Sequence, residues 1–218
     1  MNPAELVRRG YDQLSERYRG DHDAPAEYAP WLSDLRRRLP DRADVLDLGC
    51  GCGIPVAKTL ADHGHSVTGV DVSEVQIERA RRLVPGATFL RADATALTFP
   101  EGTFDAVICL YALIHMPLDA QPRLLDRIAG WLRPGGLFLA TTGAREWTGT
   151  EDAWLGGTAT MWWSQADAAT YRDWITRAGL HIDHEQLVPE ADGGHQLFRA
   201  HRPGRALCRR GRDLDQPA

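Results

Sequence analysis

The sequence predicts an α/β fold: a doubly wound, mostly parallel seven-stranded sheet ending in an antiparallel hairpin, with a helical lid at the N-terminus. Three observations carry this expectation. Short apolar runs alternate with amphipathic helical stretches through the middle of the chain, which is the signature of parallel βαβ units. A glycine-rich run, Gly49-Cys50-Gly51-Cys52-Gly53, follows the first strand at once and leads into a helix. The last two strand patterns are separated by a hairpin-length connection.

Taken in order, Leu6, Val7, Tyr11, Leu14 and Tyr18 recur at helical spacing, and Trp31, Leu32, Leu35 and Leu39 form a second amphipathic stretch. Residues 1–40 therefore read as a helical lid, stopped by Pro40-Asp41. Residues 45–48 are the first strand and 56–63 a helix. Residues 66–70 are the second strand, ending at Asp71. Ser73 caps a helix to about Val84, with Gln76 at the capping-box position. Pro85-Gly86 breaks that helix, and strand 87–91 ends near Asp93. Strand 104–110 is almost wholly apolar, as expected of a strand buried on both faces. A helix over 118–132, a turn at Pro134-Gly135-Gly136 and a strand over 137–142 complete the parallel part.

The rhythm then lapses over 143–165, an acceptor-side insertion rich in Gly, Thr and Trp. It resumes as a helix over 166–178 and strands over 181–188 and 195–201. The main domain spans 41–201, and the polar, arginine-rich segment 202–218 reads as a disordered tail.

Composition limits the function. At 218 residues, 43% hydrophobic and 25% charged, the chain is an ordinary globular one. Its net charge of -5 argues against gripping phosphate backbones, so no nucleic-acid partner is expected. No apolar run reaches the roughly 18 residues of a membrane span, and the start lacks a signal-peptide core. A cytoplasmic protein is expected. Cys50, Cys52, Cys109 and Cys208 make no pair at structural zinc spacing, so no metal is expected.

The chemistry is written around the glycines. They allow a sharp turn and close approach of a ligand to the main chain. A dinucleotide fingerprint fails in both registers, because Ile54 and Val56 stand where its third glycine belongs. Asp47 lies in the first strand, while Asp71 and Asp93 end the next two, all facing the crevice at the carboxyl ends of the sheet. A carboxylate at the end of the second strand suits two ribose hydroxyls, since it accepts two hydrogen bonds at once.

These residues carry a resemblance. The run 45–53, Thr68-Gly69-Val70-Asp71-Val72-Ser73, Ala92-Asp93-Ala94, the run 104–109 followed by His115-Met116, and Leu132-Arg133-Pro134-Gly135-Gly136 resemble, in order, the motifs of Rossmann-like (class I) S-adenosylmethionine-dependent methyltransferases of the small-molecule type. The likeness covers about residues 43–142, with Cys52 a mild departure. It implies S-adenosyl-L-methionine as cofactor. Gly49 and Gly51 would cradle its methionine part, with Asp47 near the amino group. Asp71 would hold the ribose hydroxyls, Val72 the adenine face, and Asp93 and Ala94 the adenine edge. Leu110 and Tyr111 would line the floor, with Tyr11 and Tyr18 reaching in from an N-terminal helix.

The acceptor side is read from fewer signals. His115 lies where the fourth strand opens into the crevice, and an ordinary His pKa near 6.5 suits a general base. Tyr111, Trp162, Trp163 and His195 are the candidate walls of an acceptor site, Trp162 and Trp163 equally fitting lid packing. The expected reaction is methyl transfer to an O, N or C nucleophile of a small, apolar, ring-containing molecule. Two alternatives stand beside it: a non-catalytic binding partner that kept the fold, and a nicotinamide-dependent oxidoreductase.

Overall fold

Five short strands, most of them buried and apolar, order the parallel part of the sheet. The computed structural model describes residues 2–23, 25–190 and 193–204, and its strands are β1 (Asp44–Leu48), β2 (Ser66–Asp71), β3 (Thr88–Arg91), β4 (Phe104–Cys109), β5 (Leu132–Gly143), β6 (Trp147–Glu151), β7 (Met161–Gln165), β8 (His181–Glu190) and β9 (Gly193–His201). Seven of them form one sheet in the order β3-β2-β1-β4-β5-β9-β8. The first five are parallel, and β9 runs antiparallel to both β5 and β8. Leu46 on β1 and Val107 and Ile108 on β4 are fully buried because helices cover both faces of these central strands. The seven-stranded architecture and the terminal hairpin follow the sequence pattern.

The helices are α1 (Pro3–Tyr18), α2 (Tyr28–Arg38), α3 (Val56–Asp62), α4 (Glu74–Leu83), α5 (Gln121–Trp131) and α6 (Ala168–Arg177). Residues 1–40 divide between two roles. α2 buries Tyr28, Trp31, Leu32 and Leu35 in the core beside β1 and β4. α1 buries Val7 against Trp154 and Met161 instead, outside the sheet's own core. The two helices of this segment therefore meet different surfaces, α2 the core of the sheet and α1 the insertion.

Three local features differ from the sequence pattern. The 143–165 insertion is an antiparallel hairpin, β6 with β7, in which Trp147 pairs with Gln165 and Glu151 with Met161. Its strands show no polar-apolar alternation, since mostly exposed β6 faces a β7 whose Met161 and Ser164 are buried. Helix α5 stops at Trp131, and Arg133 to Gly136 form a bulge inside β5: Phe104 pairs with Leu132, but Ala106 pairs with Leu137. Ser73 does cap α4 by accepting from the Gln76 N–H, yet the Gln76 side chain turns to α1 rather than back to the cap. Of the expected tail, residues 205–218 lie outside the described residues, as do Ala191 and Asp192 at the hairpin tip. Among the described residues no helix is long and apolar enough to cross a membrane.

One fully buried side chain ties the insertion to the domain. Gln121, at the start of α5, donates to the Met116 and Ser164 carbonyls at 2.8 Å each. Its Oε1 accepts from the Tyr171 hydroxyl of α6 at 2.7 Å. Gln121→Leu leaves a carbonyl pair and a hydroxyl unpaired, and each buried unsatisfied group costs about 1–3 kcal/mol. Urea unfolding is expected to show a loss of roughly 2–5 kcal/mol, against about 1 kcal/mol for Tyr171→Phe.

Candidate active site

Chain direction builds the site. β1 and β4 are neighbours, but the connection after β1 leads to β2 on one side and that after β4 to β5 on the other. The two loops diverge, and a crevice opens at the carboxyl ends of the strands. Gly49, Gly51 and Gly53 adopt left-handed φ values of 71°, 53° and 80°, which fold the first loop back over β2. There the Gly49 and Cys50 N–H groups both donate to the Val70 carbonyl, at 2.8 and 3.0 Å. A Cβ on Gly49 would stand 2.3 Å from the Ala112 Cβ of the opposite loop. Tyr111, just before it, also holds a left-handed φ of 56°, and its N–H donates to Thr141 Oγ1. A non-glycine residue in that region stores strain that the surrounding structure must hold.

A cavity of about 220 Å³ lies between these loops and α1. Tyr11, Tyr18, Gly49, Gly51, Asp71, Val72, Asp93, Ala94, Leu110, Tyr111 and His115 all line it, together with Asn2, Ala4 and Val7 of the α1 start. Asp71 accepts from the Gly51 N–H on one oxygen and the Ser73 N–H on the other, each at 2.9 Å, so each oxygen keeps a lone pair for a ligand hydroxyl. Burial pushes its carboxyl up to about 6 against the pull of those two N–H groups. Asp93 spends one oxygen as a cap, accepting from the Thr95 N–H and hydroxyl at 2.8 and 2.7 Å.

Asp47 faces a smaller adjoining cleft that shares Tyr18, Gly49, Gly51 and Leu110 with the cavity. It is only 2% exposed, and its Oδ2 has no hydrogen-bond partner. Burial, then the charge of Asp71, pushes its carboxyl up to about 8. Arg19 lines the same cleft, its guanidinium held over the Tyr18 and Tyr28 rings at 5.4 and 5.3 Å. Among the described residues Arg19 makes no ion pair. A buried carboxylate and an unpaired guanidinium in one cleft match the ammonium and carboxylate of an α-amino acid. Paired oxygens on Asp71 match vicinal hydroxyls. These residues fit S-adenosylmethionine.

On the acceptor side the structure gathers His115 with the insertion and α1. His115 Nδ1 lies 2.9 Å from the Trp162 carbonyl, and Nε2 lies 3.0 Å from the Tyr11 hydroxyl. A carbonyl only accepts, so Nδ1 carries the proton and Nε2 offers its lone pair to the Tyr11 O–H. Burial holds the imidazole down to about 4, so it is neutral at physiological pH. Trp163 stacks on it at 4.3 Å, and Trp154 meets Tyr11 edge-on at 5.2 Å. Trp162 and Trp163 do not line the cavity; they stand behind His115, one through its carbonyl and one through its ring. His195 does not line it either. It lies in β9, edge-on to Tyr111 at 5.0 Å and 3.3 Å from the Thr142 carbonyl.

α1 is fastened to α4 by polar contacts that the sequence pattern gave no sign of. Ser73 Oγ donates to Asp12 at 2.6 Å, and Ser15 Oγ donates to Gln76 at 2.8 Å. Arg79 reaches Ser15, the Arg19 carbonyl and Asp21 at 2.6, 2.8 and 2.6 Å. Arg19, Tyr28 and Asn2 also escape a periodicity reading. Arg19 lies past the last turn of α1, and no motif marks it.

The chain is similar to known methyltransferases. Residues 45–136 match the family described as "Methyltransferase domain". The chain is 36% identical over 175 residues to the 2-methyl-6-phytyl-1,4-hydroquinone methyltransferase of Synechocystis sp., covering 68% of this chain and 53% of that protein. It is 37% identical over 135 residues to the 27-O-demethylrifamycin SV methyltransferase of Amycolatopsis mediterranei, covering 57% of this chain and 49% of that one. The chain thus spans about half the length of these curated relatives. The structure of magnesium protoporphyrin IX methyltransferase from Synechocystis PCC 6803 with bound SAM superposes with a TM-score of 0.70 at 20% identity, over 93% of this chain and 98% of that one.

The buried Asp47 gives a pH-dependent test. Its pKa rises from 3.8 to about 8 on folding, so the cost of burying it is absent below 3.8 and grows as pH rises toward 8. Asp47→Asn is expected to stabilise the ligand-free protein at pH 8.5 by on the order of 1 kcal/mol or more, with little effect at the acid end. The same change is expected to weaken S-adenosylhomocysteine binding. Thermal melts across pH, with and without that ligand, check both.

Proposed function

We propose that the chain is an S-adenosylmethionine-dependent methyltransferase, a reading supported by the match of residues 45–136 to a methyltransferase domain, and that it transfers a methyl group from S-adenosyl-L-methionine to an O, N or C nucleophile of a small, apolar, ring-containing molecule. The observation that carries this reading is the paired cavity: an amino-acid cleft with Asp47 and Arg19 beside a nucleoside-sized space with Asp71. Relatives named for a hydroquinone and a demethylrifamycin support a ring-containing acceptor. Among the described residues no lysine or arginine lines the larger cavity, which disfavours an anionic one.

The cofactor supplies a methyl already activated on a sulfonium, so the chain's work is alignment, exclusion of water and removal of a proton. Asp71 and the Gly49–Gly51 backbone hold the ligand against the sheet. α1 closes the cavity with Tyr11 and Tyr18, keeping water from the reacting centre. His115 is the proton acceptor: its Nδ1–H on the Trp162 carbonyl fixes the tautomer that presents Nε2. Tyr11 O–H fills that lone pair in the closed cavity, so an acceptor hydroxyl or amine takes Tyr11's place on Nε2 or passes its proton through it. Aromatic faces on Tyr11, Tyr18 and Tyr111 suit a planar apolar acceptor.

Calorimetry tests the reading directly. S-adenosylhomocysteine is expected to bind and NADH not to; the reverse overturns it. Asp71→Ala removes two hydrogen bonds to a charged acceptor, each worth about 1.5–3 kcal/mol. Affinity should fall by roughly two to four powers of ten. His115→Ala is expected to spare that affinity and lower kcat by about 10²–10⁴, measured by single-turnover methyl transfer.

A further inference from the structure

At the edge of the sheet, well apart from the cavity residues, three side chains converge that the reaction does not use. His181 opens β8, His201 closes β9, and the two are directly paired across the hairpin ladder. Their rings stand 5.1 Å apart. The ladder shifts register between Ile182 and His184, which leaves Asp183 as the extra residue of a bulge. That bulge sets its carboxylate between the imidazoles: Oδ1 lies 2.9 Å from His201 Nδ1 and 3.5 Å from His181 Nδ1. All three candidate donor atoms lie within 4.8 Å of one another.

From this convergence we propose that His181, Asp183 and His201 form a binding site for a divalent late transition-metal ion, zinc in the first instance. Two imidazole nitrogens and one carboxylate oxygen, with water in the fourth position, are a donor set zinc accepts in tetrahedral geometry. Zinc bonds of about 2.0–2.2 Å place neighbouring donors roughly 3.2–3.6 Å apart. The donors here bracket that spacing, and rotation of the exposed His181 ring and the half-buried His201 ring closes the difference.

In the ion-free protein Asp183 Oδ1 accepts the His201 Nδ1 proton. Zinc takes that proton's place, and the proton moves to Nε2 of the same ring, so the imidazole stays neutral. Arg38 of α2 lies 3.6 Å from Oδ2. It holds the carboxylate from behind and leaves Oδ1 facing the rings, while its charge lowers the affinity of a cation. The ligands sit on two paired strands, so the site is held by backbone rather than by loops. A bound ion would staple the β8–β9 hairpin at its open end.

The test is zinc titration of the tag-free full chain by calorimetry, beside the H181A/H201A double variant. One equivalent is expected to bind to the wild-type chain, with affinity falling at least about tenfold in the variant. At a hundredfold excess over Kd, zinc should raise the melting midpoint by roughly 5–10 °C. Cobalt substitution separates this site from a thiolate one: nitrogen and oxygen ligands give no sulfur charge-transfer band. Because a variant can lose structure, cobalt-induced shifts of the His181 and His201 imidazole resonances in the unmutated protein supply a second readout. Unchanged stoichiometry and affinity in H181A/H201A, a sulfur charge-transfer band, or unshifted His181 and His201 resonances would overturn the proposal.

Discussion

The whole site depends on how closely two loops approach at the point where the sheet reverses its order. β1 and β4 lie side by side, yet the chain leaves them in opposite directions, so their loops flank one crevice. Gly49 and Ala112 stand so near that a single added methyl would overlap at 2.3 Å. The left-handed turn at Gly51 then brings its N–H onto Asp71. From that contact follow the aim of the Asp71 carboxylate, the pocket beside Asp47 and the opening into which His115 faces. A side chain at residue 49 would separate the loops and displace all three.

Electrostatically the site is held in an unsatisfied condition. Asp47 and Asp71 are both raised above the ordinary carboxylate range, chiefly by burial. An unpaired buried carboxyl destabilises the ligand-free fold, and a cationic ligand group relieves that cost on binding. The roof shows the opposite design. α1 is fastened to α4 through hydrogen bonds of Asp12, Ser15, Gln76 and Arg79. Buried carboxyls below and a tethered helix above thus enclose one cavity and its adjoining cleft. On the far side, Gln121 fixes the insertion from behind, and Trp162 and Trp163 in turn fix His115.

The parallel sheet was legible because its signal is local. Val45 to Leu48 and Phe104 to Leu110 are apolar apart from Asp47 and Asp105 for a simple reason: both faces of a central parallel strand are covered. Glycines after the first strand, and carboxylates after the next two, mark the crevice from spacing alone. The β6–β7 hairpin was not legible, since its exposed strand breaks the alternation that betrays a half-buried one. The division of residues 1–40 was hidden for a related reason. α1 and α2 carry similar apolar stripes, and a stripe does not say which surface it meets.

By itself, then, the sequence determined the strand order's raw material, the glycine loop, the acidic strand ends and the methyl-transfer class they resemble. Each is encoded in residues near one another in the chain. Only the tertiary structure decided what depends on distant partners. It brought Arg19 into the cleft of Asp47 and set the Tyr11 hydroxyl, 104 positions away, on His115. It set Trp162 and Trp163, which the sequence left between acceptor contact and lid packing, against the His115 imidazole, and His195 against Tyr111. It also joined His181 to His201 across a hairpin. Periodicity reports which face of an element is buried; it carries no record of which side chain from another element will be waiting there.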